Sequence, residues 1–200
     1  MKDSSRRRTS RDSILDATDR LLARNGYKRM TIEELAKEVG IGKGTIYLHF
    51  ESKEDIALSH IDRIIERLKF RLDSLAFSKG SVESRLRSML NERVMFRFDS
   101  VQHYSQSLNE LLSHLRPKLL ERRERYFDEE ARIFEKVIAE GKRSGELAVR
   151  NAEDAARTLI DATNSLLPYS LSAFELGERG EVEKKVKRLA DMIVAGMVKR

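Results

Sequence analysis

Apolar positions recur every three or four residues along almost the whole chain, and no stretch alternates with period two. That spacing gathers apolar side chains on one side of a helix, so the pattern predicts an all-α protein of about nine helices. Ile14, Leu15, Thr18, Leu21 and Leu22 form the first stripe, which Asn25-Gly26 stops. Tyr27 and Met30 are expected to fold back under it. The second helix opens with Thr31 as N-cap and Glu34 three residues on, a capping box, and Met30 and Leu35 are spaced as a hydrophobic staple. Its inner face is Ile32, Leu35, Ala36 and Val39, and Gly40 ends it. A very short helix follows over residues 43–49. There Ile46 and Phe50 point to one side, and Thr45 and His49 to another. Ser52 caps a long fourth helix that carries Ile56, Ile61, Ile64, Ile65, Leu68, Leu72 and Leu75, ending before Lys79-Gly80.

The second part of the chain continues the helical period. Val82, Leu86, Leu90, Val94 and Val101 mark one helix, and residues 108–115 a shorter one. Pro117 suits the first turn of the next, which runs to about residue 141 with Leu120, Phe127, Ala131, Phe134 and Ile138 as its stripe. Helices over 152–176 and 181–198 complete the pattern. The first of these carries two stripes: Ala155, Leu159, Ala162, Leu166 and Tyr169, and Ala156, Ile160, Thr163, Leu167, Leu171 and Phe174. A helix that is apolar on two flanks must bury both. A second copy of the chain is the economical cover, and a fully internal helix in a monomer is the alternative. The expected homodimer interface is Leu159, Ala162, Leu166 and Tyr169, with Leu189, Ile193 and Met197 of the final helix. Which flank faces the partner is left open.

Composition narrows the chemistry. The 200 residues are 40% hydrophobic and 36% charged, with no cysteine and four histidines. A disulfide framework and any thiolate metal site are thereby excluded, and no cofactor or metal is expected. The N-terminus lacks the apolar segment of a secretory signal, and no run approaches the roughly 20 apolar residues of a membrane span. A soluble cytoplasmic protein without a membrane partner is expected. The net charge is +6, and the first residues set Lys2, Arg6, Arg7, Arg8 and Arg11 against Asp3 alone. Such an arm is either a solvated tail or a contact for nucleic-acid phosphate.

The stretch Ile41-Gly-Lys-Gly-Thr-Ile-Tyr-Leu-His-Phe50 invites three readings. A phosphate loop needs Ser or Thr after Gly-Lys and a strand before it. Here Gly44 follows Lys43, and a capped helix precedes. Catalysis finds no nucleophile–base pair, and Glu110 with His114 at i, i+4 lacks further metal ligands, so no enzyme is expected. The third reading is a helix–turn–helix, with the second helix entering the major groove. Ile46 and Phe50 then pack back onto Leu35, Val39 and the first helix, while Lys43, Thr45, Tyr47 and His49 face outward. Glycine at 42 and 44 removes side chains where the backbone approaches the duplex.

Residues 31–56, TIEELAKEVGIGKGTIYLHFESKEDI, resemble the helix–turn–helix signature of the tetracycline-repressor (TetR) family of bacterial transcriptional regulators. Thr31, Ala36, Gly40, Lys43-Gly44, Tyr47, His49-Phe50 and Lys53 carry the likeness. Gly42 departs from it, since the family often has Ser or Thr there as a stronger N-cap. The resemblance implies a DNA-binding domain over 1–52, including the basic arm, and an effector-binding and dimerisation domain over 53–200. It implies phosphate contacts for Thr31, Tyr47 and Lys53, a backbone or base-edge contact for His49, and base-edge reading by Lys43, Gly44 and Thr45. The partners are then a near-palindromic double-stranded DNA operator, a small-molecule effector and a second copy of the chain. The fourth helix, shared by both domains, is the natural lever. Met89, Phe96, Tyr104, Phe127, Phe134 and Asn164 are the candidate pocket lining. Arg93 and Arg97 interrupt the apolar run around them, either to anchor an acidic group or to snorkel to solvent. The expected function is a repressor released by a small hydrophobic effector, which an acidic group on the ligand would suit. The alternatives are an all-α carrier or enzyme with a vestigial DNA-binding domain, and an architectural DNA-binding protein without an effector.

Overall fold

The computed structural model describes residues 10–101, 108–167 and 177–199, apart from the side chains of 108–112. Among the described residues there are eight helices: α1 (Ser10–Arg29), α2 (Ile32–Val39), α3 (Lys43–Tyr47), α4 (Lys53–Ala76), α5 (Val82–Val101), α6 (Leu108–Ser144), α7 (Ala152–Asn164) and α8 (Arg179–Met197). The first helix is interrupted where expected. Gly26 has φ 75° and ψ 170°, so the chain leaves helical geometry there, and Tyr27 and Met30 turn back into the core.

Two boundaries differ from expectation. Residues 108–115 do not form a separate helix, because α6 runs through Pro117 without a break. A proline interrupts one hydrogen bond of a helix, and here packing carries the helix across: Leu115 and Leu119, on either side, are both buried in the core around α1. The helix from Ala152 stops at Asn164 rather than running on to 176. Leu166 N donates to Thr163 O (3.1 Å) and Leu167 N to Asn164 O (3.2 Å), the tighter pattern of a closing turn. Pro168 in the sequence explains the stop, since the residue before a proline is pushed out of helical geometry.

One core cluster joins α1, α2, α3 and the start of α4 through Ile14, Leu21, Leu35, Ile46, Phe50 and Ile61, and takes in Val101, Leu115 and Leu119. A second lies farther along α4, from Leu68 to Ala76, with α5, α6, α7 and α8. The cores therefore change over inside α4. Helix α6 also follows α4 through charges: Lys118 to Glu54 at 2.7 Å, Lys69 to Glu129 at 2.8 Å, Lys136 to Asp73 at 3.1 Å, and Arg122 and Tyr126 both to Asp62. In α6, Gly141 permits close packing, because a Cβ there would lie 2.7 Å from Val82 Cγ1 and 2.8 Å from Leu147. The chain end is tied down by Ala148 N to Met197 O (2.7 Å) and Lys199 N to Glu146 O (3.0 Å). No helix among the described residues is long and apolar enough to cross a membrane.

Candidate nucleic-acid interface

The α2–α3 pair is built by local chemistry. Thr31 Oγ1 accepts from Glu34 N and Thr31 N donates to Glu34 Oε2, both at 3.1 Å, which closes the capping box. At the other end Gly40 takes φ 76° and ψ 33°, with Gly40 N to Lys37 O at 3.3 Å and Ile41 N to Ala36 O at 3.0 Å. This paired closure turns the chain sharply into α3. Gly42 caps α3 without a side-chain hydrogen bond. Ile46 and Phe50, 0% and 2% exposed, pin α3 to α1 and α2.

The same register presents Lys43, Gly44, Tyr47 and His49 to solvent, with Thr45 half-buried at the edge. Tyr47 is 56% exposed although aromatic. Lys43 is paired with Glu33 of α2, and that hydrogen bond holds the Glu33 carboxyl below its ordinary range. Thr31 is exposed at the start of α2, its hydroxyl serving as the cap. Arg11, where the basic arm meets α1, lies over the Phe50 ring at 5.2 Å. Lys53 opens α4 and already has partners within the protomer. Its Nζ donates to Lys28 O (3.1 Å) and sits 4.5 Å from the Tyr27 ring centroid, so in the free protein it clamps α4 to the end of α1.

The sequence candidates of the C-terminal region are partly brought together. Arg93 and Arg97 do not snorkel, being 0% and 1% exposed. They share one carboxylate that the sequence reading missed, Glu130 of α6. Arg93 Nε reaches Glu130 Oε2 at 2.8 Å, and Arg97 Nη2 bonds the other oxygen. Arg93 also donates to Asn164 Oδ1 (2.8 Å), Ile160 O (3.2 Å) and Thr163 Oγ1, and its guanidinium lies 5.2 Å from the Phe127 ring. Burial pushes Arg93 down to about 10 against the pull of Glu130. Burial alone would raise Glu130, but Arg97 and Arg93 outweigh it and hold the carboxyl below the usual range. The asymmetry is physical: Glu130 has two cations beside it, while Arg93 shares that one carboxylate with a like-charged neighbour. Among the described residues Arg97 Nε has no hydrogen-bond partner. Glu130 was legible in principle, since it falls on the stripe of Phe127, Ala131 and Phe134.

Met89 and Phe134 are fully buried core, and Phe96 and Phe127 pack at its edge. Phe96 lines an open groove of ≈ 440 Å³ between α4 and α5, with Arg67 and Phe70. Tyr104 and Tyr169 lie outside the described residues. Of the expected dimer residues, Leu159 and Met197 are 0% and 9% exposed and belong to the protomer's own core. Ala162, Leu166, Leu189 and Ile193 keep partial exposure. Met192 on α8, which the periodicity reading passed over, is 71% exposed.

Residues 14–59 match the family model for bacterial regulatory proteins of the tetR family. The fatty acid metabolism regulator protein of Bacillus subtilis is 28% identical over 153 residues, which cover 75% of this chain and 77% of that one. An uncharacterised helix–turn–helix regulator of B. subtilis, YerO, is 47% identical over 49 residues, 24% of this chain and 17% of that one. Among solved structures, a transcriptional regulator from Cytophaga hutchinsonii superposes with a TM-score of 0.77 at 21% identity, covering 93% of this chain and 97% of that one. FadR from B. subtilis in complex with stearoyl-CoA gives 0.64 at 20% identity, covering 92% and 98%. These proteins are regulators of transcription rather than enzymes. With its capped α2, its glycine-turned α3 and the matched segment that spans both, residues 14–59 form the helix–turn–helix segment of the TetR family of transcriptional regulators.

Proposed function

We propose that the protein is a homodimeric repressor, acting in the cytoplasm on a near-palindromic operator and released from it by a small molecule. The observation that carries the DNA half is the register of α3: Ile46 and Phe50 are buried while Lys43, Tyr47 and His49 stand in solvent. In this reading residues 1–52 bind DNA. Thr31, Tyr47 and Lys53 take phosphates, with Lys53 turning from Tyr27. His49 reaches backbone or a base edge. Lys43, Gly44 and Thr45 read base edges. Residues 53–200 dimerise and bind the effector. The partly exposed Ala162, Leu166, Leu189 and Ile193, with Met192, supply the apolar surface for a second copy.

The effector is a hydrophobic molecule with an acidic group. Two buried arginines against one glutamate leave an excess of positive charge among α5, α6 and α7, which supports an anionic ligand. The stearoyl-CoA held by B. subtilis FadR is of this type, so a long-chain acyl-CoA is the first ligand to test. An effector shifts the equilibrium only by binding the DNA-incompetent state more tightly. The ion pairs between α4 and α6, and the seating of Leu115 and Leu119 in the α1 core, offer the route.

The test is duplex selection from a random pool, then titration across salt. Affinity should fall linearly with salt on logarithmic axes, and stearoyl-CoA should release the complex. A protein that selects no duplex would contradict the reading.

A further inference from the structure

We propose that Leu48, beside the bare backbone of Gly44, reads a thymine 5-methyl group in the major groove. The inference rests on the DNA-binding reading above. Leu48 is 83% exposed, the most exposed large apolar side chain among the described residues. It continues α3 in helical geometry, with φ −69° and ψ −22°. Its N–H donates to Gly44 O at 3.1 Å, which sets it one turn below Gly44 on the same face. That face also carries Lys43 and Tyr47 and borders Thr45, so Leu48 is continuous with the groove-facing surface.

Gly44 lacks an internal reason to be glycine. Its φ is not positive, and a Cβ built there meets nothing within 4 Å. Glycine inside a helix is disfavoured relative to alanine, so the protein forgoes helix stability at this position. A close neighbour outside the protomer accounts for that. Gly42 likewise has open space around an added Cβ. Together these positions leave a shallow step beside an apolar knob.

The chemistry of the knob selects its target. Leucine has no donor for phosphate and no donor or acceptor for a base edge. In the major groove the one apolar group on a base pair is the thymine methyl. An aliphatic side chain on a groove-facing surface therefore discriminates thymine from cytosine by burying that methyl. Contact with deoxyribose is the competing placement, and it would carry no base preference.

The experiment uses the full chain and a duplex selected from a random pool. Each thymine is replaced in turn by deoxyuridine, which removes the methyl and keeps the pairing. Wild type should lose about fourfold in affinity at one thymine per half-site, the cost of exposing one methyl-sized group. The Leu48→Ala protein should bind more weakly and be indifferent to that substitution. Because Leu48 is 83% exposed, the variant should fold as wild type, which a thermal melt checks. A wild type indifferent to deoxyuridine at every position would overturn the inference while leaving DNA binding intact. So would a Leu48→Ala protein that keeps the full methyl dependence. Failure to select any duplex would overturn the DNA-binding reading and this inference with it.

Discussion

Arg93 Nε donates to Glu130 Oε2 over 2.8 Å, and neither side chain exposes any surface. The pair joins α5 to α6, and the other Arg93 donors extend the tie to α7 through Ile160, Thr163 and Asn164. A buried ion pair is weakly stabilising as a whole, but removing one partner strands the other. Glu130→Gln should therefore cost about 3–5 kcal/mol in urea unfolding, more than any surface carboxylate.

The same pair sets an acid limit. Glu130 is held below the ordinary carboxylate range in the folded protein, so the unfolded chain binds the proton more readily. Its contribution to stability is present above the unfolded value, about 4.3, and is lost as the pH falls through the lower folded value. Unfolding free energy measured from neutral pH downward should fall in that range. The fall should be shallower in Glu130→Gln.

Gly44→Ala separates fold from function. The added Cβ meets nothing in the protomer and gains helix propensity, up to about 1 kcal/mol. The melting temperature should rise or stay unchanged while operator affinity drops. Tight binding by the alanine protein would remove the close approach at this position.

Gly141→Ala should behave in the opposite way. Its Cβ would sit 2.7 Å from Val82 Cγ1 and 2.8 Å from Leu147, so the core must shift. A loss of about 1–3 kcal/mol in chemical denaturation is expected.

Lys43 and Glu33 face one another on the α2–α3 surface. Lys43→Ala should weaken duplex binding by about 1–3 kcal/mol and relax the base preference at the position it reads. Glu33→Gln should tighten binding at low salt, because the carboxylate both occupies Lys43 and repels phosphate. Equal affinity for wild type and Glu33→Gln would show that the pair opens without cost.

How far the sequence could be read depended on whether a feature was local. The capping box at Thr31 and Glu34, the turn at Gly40 and the inward pair Ile46 and Phe50 are decided within a few residues, and the structure has them as expected. Features that need a tertiary partner were not legible. Periodicity puts Glu130 on an apolar face but does not say that two arginines of another helix wait there. Leu159 sits on one of two apolar stripes, and only the packing of α7 shows that this residue is buried in the protomer's own core while Ala162 and Leu166 of the same stripe stay partly exposed. Pro117 is a sound helix-start signal that tertiary burial of Leu115 and Leu119 overrides. Lys53 is a basic residue at a helix start, and the sequence does not show that Tyr27 and the Lys28 carbonyl lie beside it.

The most direct measurement is the affinity of wild type and Tyr47→Ala for a selected duplex across a range of salt. Tyr47 is 56% exposed, so its removal should leave the fold intact. The account predicts tight, strongly salt-dependent binding by wild type and a clear loss of affinity in Tyr47→Ala. Binding by Tyr47→Ala equal to wild type, or no binding by wild type at any salt, would contradict it.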